Sequence, residues 1–387
     1  MTEIKGVHKV NRLAITIAVL IAALYTPAFS DCSDATRYNN GTKMLLKEGS
    51  DSLFCTYDND GTVEYSYSEG GESWSSPDTV ASGNDYPAIA ADSTGQRWII
   101  AHEPPDGMGY QHQYLYTGQG WSLMTQIYES QDPIGPASIA GGTSTADNFI
   151  YAAFLVTGQT ANGDTYSVVL TKHRVAGGQS SVAACTLAAR FGDVLHPQQY
   201  LGDPAVAVEP YKADSNRIFV VWVRDGTIYY SSCVDGRGPE IAPNWTMNVG
   251  LSSSALSKHP SISAERGRVV VAWRQGTTGD IYARQRLSGT WGDPVMLSDN
   301  DLVVSDWPTV ALGGAVVVAW EEWITAYDHD IFACVNFNTN NILNIADNDA
   351  ISSYPHVVLQ PDGEDLYLHT FWSEPDWAVD HDKLDIN

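Results

Sequence analysis

Basic residues are scarce in this chain: 21 Lys and Arg stand against 46 Asp and Glu, a formal net charge of −25. Three of those basic residues and one acid fall in the first 30 positions, so residues 31–387 carry about −27. A field of that sign repels phosphate backbones and anionic lipid surfaces, which excludes nucleic acid and a charged membrane face as partners. A polyanionic ligand would need a local basic pocket; neutral and cationic ligands meet no such barrier. Cysteine is sparse too, with five residues at 32, 55, 185, 233 and 334. None is spaced as Cys-x-x-Cys or in a Cys/His zinc pattern, so a structural zinc site has no ligand set. Apolar runs long enough for a membrane helix are absent. Sustained helical periodicity is missing after residue 30, which removes the helical fold classes.

The first 30 residues read as a targeting segment. Lys5, Lys9 and Arg12 precede an apolar core, Leu13–Tyr25, that is too short to span a bilayer, and Ala28-Phe29-Ser30 suits a signal peptidase. A signal peptide over 1–30, a mature start at Asp31 and a secreted protein, extracellular or periplasmic, are expected. Cys32 does not suit a lipoprotein, because the residue before it is Asp31. In an oxidising compartment some cysteines should pair, and the odd count leaves at least one over. Asn40-Gly41-Thr42 and Asn244-Trp245-Thr246 match the glycosylation sequon.

What the chain does have is a repeat. Proline recurs just before an alternating apolar run at Pro87, Pro136, Pro204, Pro260, Pro308 and Pro355, in steps of 49, 68, 56, 48 and 47 residues. Each proline opens the same series: a short alternating strand, then a hydrophobic strand that often ends in tryptophan (Trp222, Trp273, Trp320). A third strand follows, beginning Ile-Tyr or Ile-Phe, and then a fourth near a Gly-x-Trp or Trp step. Four strands in 40–55 residues, cut by Gly, Asn and Asp turns, is the signature of a propeller blade. Residues 42–82 lack the proline but keep the pattern, giving seven first strands from Lys43 onward. The expected fold is all-β, a single seven-bladed β-propeller of four-stranded antiparallel blades over residues 31–387. The seventh copy ends in its third strand, and residues 31–41 are expected to close it, since an open edge is a liability.

At Tyr67-Ser68-Glu69-Gly70-Gly71-Glu72-Ser73-Trp74 the chain resembles the Asp-box of sialidase-type (BNR) repeats. Gly71, Ser73 and Trp74 fit the box, while Tyr67 and Glu69 replace its serine and aspartate. The resemblance implies a structural turn away from the ligand face, with the tryptophan packed between sheets. It also implies a ring of six blades as the alternative to the seven counted above. The Arg-Ile-Pro that announces a sialidase carboxylate site is lacking, the nearest element being Arg37-Tyr38. Some seven-bladed polysaccharide lyases resemble the same architecture.

In a propeller, the loops between blades and those joining strands two and three gather on one face. That rule collects Tyr57 and Asp58, His102 and Glu103, Arg224 and Asp225, Arg274, Glu321, Glu322 and Trp323, and Glu374 and Trp377. The inter-blade loops add Tyr86, His259, Trp307 and Tyr354. His102, Glu103, Arg224, Arg274, Glu322 and Glu374 are the catalytic candidates: carboxyl pairs suit hydrolysis, and a His base beside arginine suits a lyase. Tyr57, Asp58, Tyr86, His259, Trp307, Trp323, Tyr354 and Trp377 are the ligand-binding candidates, because aromatic faces and carboxylates suit sugar rings and hydroxyls. His102-Glu103 leads into Pro104-Pro105-Asp106-Gly107-Met108-Gly109, a loop unlike its counterparts, where function is commonly added.

Asp328-His329-Asp330 and Asp380-His381-Asp382 offer two histidines and four carboxylates. Asp280 holds the place of Asp330 in a blade without the histidine, so the triplet reads as turn residues entering strand three rather than a metal site. No cofactor is expected. Calcium is conceivable at Asp58-Asn59-Asp60, Asp299-Asn300-Asp301 and Asp347-Asn348-Asp349. The functional readings are a glycan or other extracellular ligand bound on the loop-rich face, a polysaccharide-degrading enzyme, or a non-catalytic interaction scaffold. A glycan or an extracellular protein is the expected partner, and a monomer the expected state.

Overall fold

The structure, a computed structural model, describes residues 42–386 apart from 48–49, 104–108, 131, 143–148, 161–162, 177–178, 192–200, 213–214, 237–240, 242, 254–255, 278, 299–302, 347–350 and 375–378. The described residues hold 28 strands and no helix. They form seven antiparallel sheets, each built from strands consecutive in sequence. First strands run over Met44–Leu46, Asp85–Ala91, Ser138–Gly141, Leu201–Lys212, Ser257–Glu265, Val304–Leu312 and Ser353–Asp362. Each packs against the next, and Ser353–Asp362 packs back on Met44–Leu46, so the seven sheets close a β-propeller ring. The seven starts fall where the repeat placed them. In blade 5 the fourth strand is split into Thr290–Trp291 and Val295–Met296. Blade 7 has three strands among the described residues, ending in Asp380–Asp385. Residues 31–41, expected to complete it, lie outside the described residues, as does the segment 1–30.

The tryptophans that end second strands explain the repeat physically. Trp222, Trp273 and Trp320 are at most 1% exposed. Each stacks on the aromatic residue opposite it in strand three: Tyr229 at 6.4 Å, Tyr282 at 6.3 Å and Phe332 at 6.4 Å. Burial of a side chain that large contributes about 2–3 kcal/mol. The buried indole N–H also needs an acceptor. Trp222, followed two positions on by the donor Arg224, has none among the described residues, but in blades 5, 6 and 7 the residue two positions on supplies it. Trp273 Nε1 donates to Gln275 (3.2 Å), Trp320 to Glu322 (3.1 Å) and Trp372 to Glu374 (2.9 Å).

A second recurring feature lies at the x-Pro step. The residue before proline has a left-handed backbone in five blades: Tyr86 (φ 47°), Asp203 (48°), His259 (49°), Trp307 (49°) and Tyr354 (55°). At each of the five the register with strand two slips, a β-bulge. A non-glycine residue held there costs on the order of 1–3 kcal/mol. Bulges redirect a side chain out of the ladder, and these five all start a first strand, on the face where second strands end.

The seam joining blade 7 to blade 1 is held by side chains far apart in sequence. Trp74 packs on Phe371 (6.2 Å) and edge-on to His381 (5.3 Å), so this tryptophan lies between the sheets of blades 1 and 7. Gln360 Nε2 donates to Asp51 (3.0 Å), and Lys383 Nζ donates to the Gly70 carbonyl (3.1 Å). His369 Nδ1 lies 3.1 Å from His381 Nε2, and its Nε2 lies 2.6 Å from Gln360 Oε1. Gly71 (φ 80°) leaves no room for a side chain there: a Cβ would sit 2.6 Å from the His369 ring.

The cysteines differ from expectation. Cys55, Cys185, Cys233 and Cys334 are all free thiols. Cys55 lies in the blade 7–1 core, Cys185 and Cys233 in the blade 3–4 core, and Cys334 in the blade 5–6 core. Packing in different cores keeps most of them apart; Cys32 lies outside the described residues.

Candidate functional site

The bulges bring one group of side chains together across blades 4 to 7. His259 of blade 5 stacks flat on Trp307 of blade 6, with centroids 3.7 Å apart and planes 9° from parallel. Trp307 meets Tyr354 of blade 7 edge-to-face at 5.1 Å. Beneath them Asp306 is shared: Oδ1 lies 2.6 Å from His259 Nδ1, and Oδ2 accepts from Arg274 Nη1 at 2.7 Å. The Trp307 N–H donates to the same carboxylate at 2.8 Å. Burial pushes the Asp306 carboxyl up, but the His259 hydrogen bond and the His259 and Arg274 charges outweigh it and hold the group below its ordinary value. An ionised carboxylate can only accept, so His259 Nδ1 carries a proton and Nε2 is the second site on the ring. That nitrogen lies 3.9 Å from Asp203 Oδ2 of blade 4.

Glu321 continues the cluster. It is 2% exposed, its Oε2 accepts from the Tyr354 N–H at 3.2 Å, and its Oε1 accepts from the Trp323 indole and lies 3.1 Å from His329 Nδ1. Trp323 and His329 stack at 4.8 Å, 7° from parallel. His259, Arg274, Trp307, Trp323 and Tyr354 from the sequence reading are therefore one connected group. Glu321, collected on the same face, belongs to it as well, and so does His329, which the sequence reading set aside as a turn residue. Asp203 and Asp306 belong to it without having been singled out as site residues. Asp306 did leave a sequence sign, an aspartate two residues before the repeat proline, shared with Asp85.

A second, smaller group forms in blade 2. His102 Nδ1 lies 2.7 Å from Asp85, and Tyr86 stacks on His102 at 6.3 Å. Glu103 lies 3.3 Å from His112 Nε2. Burial lowers the His112 ring below its ordinary value. Lys43 holds the place of proline in blade 1. It is 1% exposed, donates to the Pro87 carbonyl, and is lowered by burial to about 7 in spite of Asp58 and Asp85. Asp58 accepts from the Gly61 N–H at 2.9 Å and is raised by burial.

Other expectations land elsewhere. Tyr57 is fully buried and packs on Phe371, so it serves the blade 7–1 core rather than a ligand. Glu322 and Glu374 satisfy the indoles of Trp320 and Trp372, and also accept from Ser305 (3.4 Å) and Ser352 (3.1 Å). That ties them to the repeat core and argues against a catalytic acid pair. Arg224 is part-exposed, 3.9 Å from Asp225. Trp377 and residues 104–108 lie outside the described residues. The Asp-His-Asp triplets are strand rather than turn: Asp328–Val335 and Asp380–Asp385 begin with them. His329 and Asp330 are buried, and Asn344 Nδ2 donates to Asp330 at 3.0 Å. Asp58-Asn59-Asp60 forms a turn, with Asp60 at φ 50°. Among the described residues no group of three His, Cys, Asp or Glu side chains could hold a metal ion, and no helix is long and apolar enough to cross a membrane.

On the ring axis, Thr42, Ser138, Ser261, Thr309 and His356 line a cavity of about 50 Å³. That is room for a few waters at most.

No family model and no curated protein matches the chain. Among solved structures 316 chains match. One is a polysaccharide lyase, an ulvan lyase of family PL25, at 9% identity and TM-score 0.53, covering 92% of this chain and 94% of that one. Another is a fungal alcohol oxidase of the AA5 family in complex with copper, at 12% and 0.50, covering 89% and 74%. The NanB sialidase of Streptococcus pneumoniae matches at 12% and 0.46, covering 94% and 71%. A match to a prolyl endopeptidase, at 10% and 0.43, covers 87% of this chain and 47% of that one. At such identities the likeness is one of fold, and a fold hosts unrelated chemistries.

Proposed function

We propose that the protein binds carbohydrate on the propeller face where blades 4 to 7 meet. The observation that carries this reading is the flat His259–Trp307 stack, held over Asp306 and Arg274. A rigid aromatic face offers a sugar ring its apolar contact. Part-exposed Arg274, Asp203 and His259 supply donors and acceptors for hydroxyls at its rim. The fold likeness to a polysaccharide lyase agrees with a carbohydrate-related role without specifying one. Secretion through residues 1–30 is part of the same proposal, tested by the N-terminal sequence of the exported protein. A glycan array tests binding: Trp307→Ala should remove every hit while leaving the melting temperature within a few degrees. A wild-type protein that binds no glycan sinks the reading.

One observation favours a second reading, that of an enzyme. His259 has Nδ1 fixed by an ionised carboxylate and a guanidinium alongside, which suits Nε2 for proton transfer next to an anionic sugar. Release of reducing or unsaturated ends from bound glycans, abolished in His259→Ala, would establish it. Binding without release leaves the protein a lectin.

A further inference from the structure

The hairpin joining strands two and three of blade 6 differs from its neighbour. In blade 5 the ladder reaches its last pair at Gln275 and Asp280; in blade 6 it runs on through Trp323 and His329 to Thr325 and Asp328. The extension carries aromatic surface into solvent: Trp323 is 42% exposed and Tyr327 82%. Exposed apolar residues scattered singly need no explanation, but Trp323 is not left loose. His329 backs one face of its ring, Glu321 accepts from its indole, and the same carboxylate is tied to the Tyr354 backbone. The side chain is thus held in place before any ligand arrives while it stays 42% exposed, as a stacking platform requires.

Its placement relative to Trp307 is set by register. Val304 is the partner of Trp323 across the ladder, three residues before Trp307 on the same strand. At a rise of ~3.3 Å per residue the two rings belong to positions roughly 10 Å apart along blade 6. A single sugar ring does not bridge that distance, whereas an oligosaccharide does.

We infer that Trp323 is a second sugar subsite, so that the ligand is an extended oligosaccharide lying along blade 6 from the Trp307 platform to the hairpin. The inference rests on the carbohydrate reading of the Trp307 site. Two ladders of one to six residues, cello-oligosaccharides and oligogalacturonates, test it by titration against wild-type protein, Trp323→Ala, Trp323→Phe and Trp307→Ala. The wild type should bind more tightly as the chain lengthens. Trp323→Ala should weaken the hexamer about tenfold, the scale of one aromatic stack, and leave the shortest bound member unchanged. Trp323→Phe should recover most of the loss, and Trp307→Ala should weaken every length. Because Trp323 lies at the surface, its variants keep the fold, which the melting curve checks. A Trp323→Ala loss that is equal at all lengths, or absent, overturns the subsite while sparing the Trp307 site. Failure of both ladders to bind wild-type protein overturns both.

Discussion

Blades 2 and 6 open on the same three residues in kind, Asp85-Tyr86-Pro87 and Asp306-Trp307-Pro308, on the same left-handed bulge. They put the aspartate to different uses. Opposite Asp85 stands His102, and the pair bonds within its own sheet. Opposite Asp306 stands Glu321. Two facing carboxylates repel, so each turns away: Asp306 to His259 and Arg274 of blade 5, and Glu321 to Trp323 and the Tyr354 N–H. One cross-strand residue decides whether the motif closes on itself or bridges a seam. The bridging copy links side chains of blades 4 to 7 into one connected cluster, while the closed copy borders buried Lys43 and Asp58.

The largest expected effect comes from removing the shared acid. Asp306→Ala removes the carboxylate that Arg274 and His259 share, leaving His259 with Asp203 at 3.9 Å, and should cost about 3–5 kcal/mol. Asp85→Ala should cost about 1–2 kcal/mol, the scale of the single side-chain hydrogen bond to His102 that it removes. Urea unfolding of the two variants side by side measures the gap, and equal losses would erase the distinction between the blades.

Next is the buried amine beside the blade 2 pair. The unfolded chain keeps Lys43 protonated up to about pH 10, whereas the folded one releases that proton near pH 7. The unfolded state therefore binds more protons between those values, and stability should rise with pH across that window. Lys43→Met should abolish the rise and add on the order of a few kcal/mol at pH 7 and below, read from the pH series of unfolding free energy.

The His369–His381 contact is the control, a histidine pair with no carboxylate between the rings. Burial holds His369 at about 4 and His381 at about 3. Both rings fold neutral, so their contribution is complete above about pH 6.5 and is lost as pH falls toward the folded values. Chemical unfolding between pH 7 and 4 should show that acid slope, and His369→Gln should flatten it. The smallest effect on stability tests the rule itself. Glu321→His gives Asp306 a partner on its own sheet, as in blade 2. Unfolding should shift by no more than about 2 kcal/mol, while glycan affinity drops as Asp306 leaves His259.

The architecture was legible because its signals are local and repeated. The x-Pro step and the Val-Val-Val-Ala-Trp strands recur with the blade; six starts follow from the proline step and the seventh from the strand pattern of residues 42–82. The site was legible only in part. Placing His259, Trp307, Trp323 and Tyr354 on one face required nothing beyond strand counting. Asp306 was missed because its partners come from another blade, 47 and 32 residues away, and no periodicity reports a contact across a seam. Tyr57, Glu322 and Glu374 fall outside that cluster for the opposite reason. Their positions at strand ends are those of site residues, but burial and the needs of a neighbouring indole decide their work, and neither shows in spacing.

The seam between blades 7 and 1 has a kinetic consequence. Its hydrogen bonds join residues 309 and 313 apart in the chain, Gln360 to Asp51 and Lys383 to Gly70. Six of the seven blade junctions join neighbours in sequence and can form as the chain is made. This one must wait until both ends are present, and it carries the largest loop-closure entropy of the ring. It is therefore the last contact surface to form and the first through which the ring opens. The ligand face proposed on blades 4 to 7 lies on a part of the molecule that is assembled before the circle is complete.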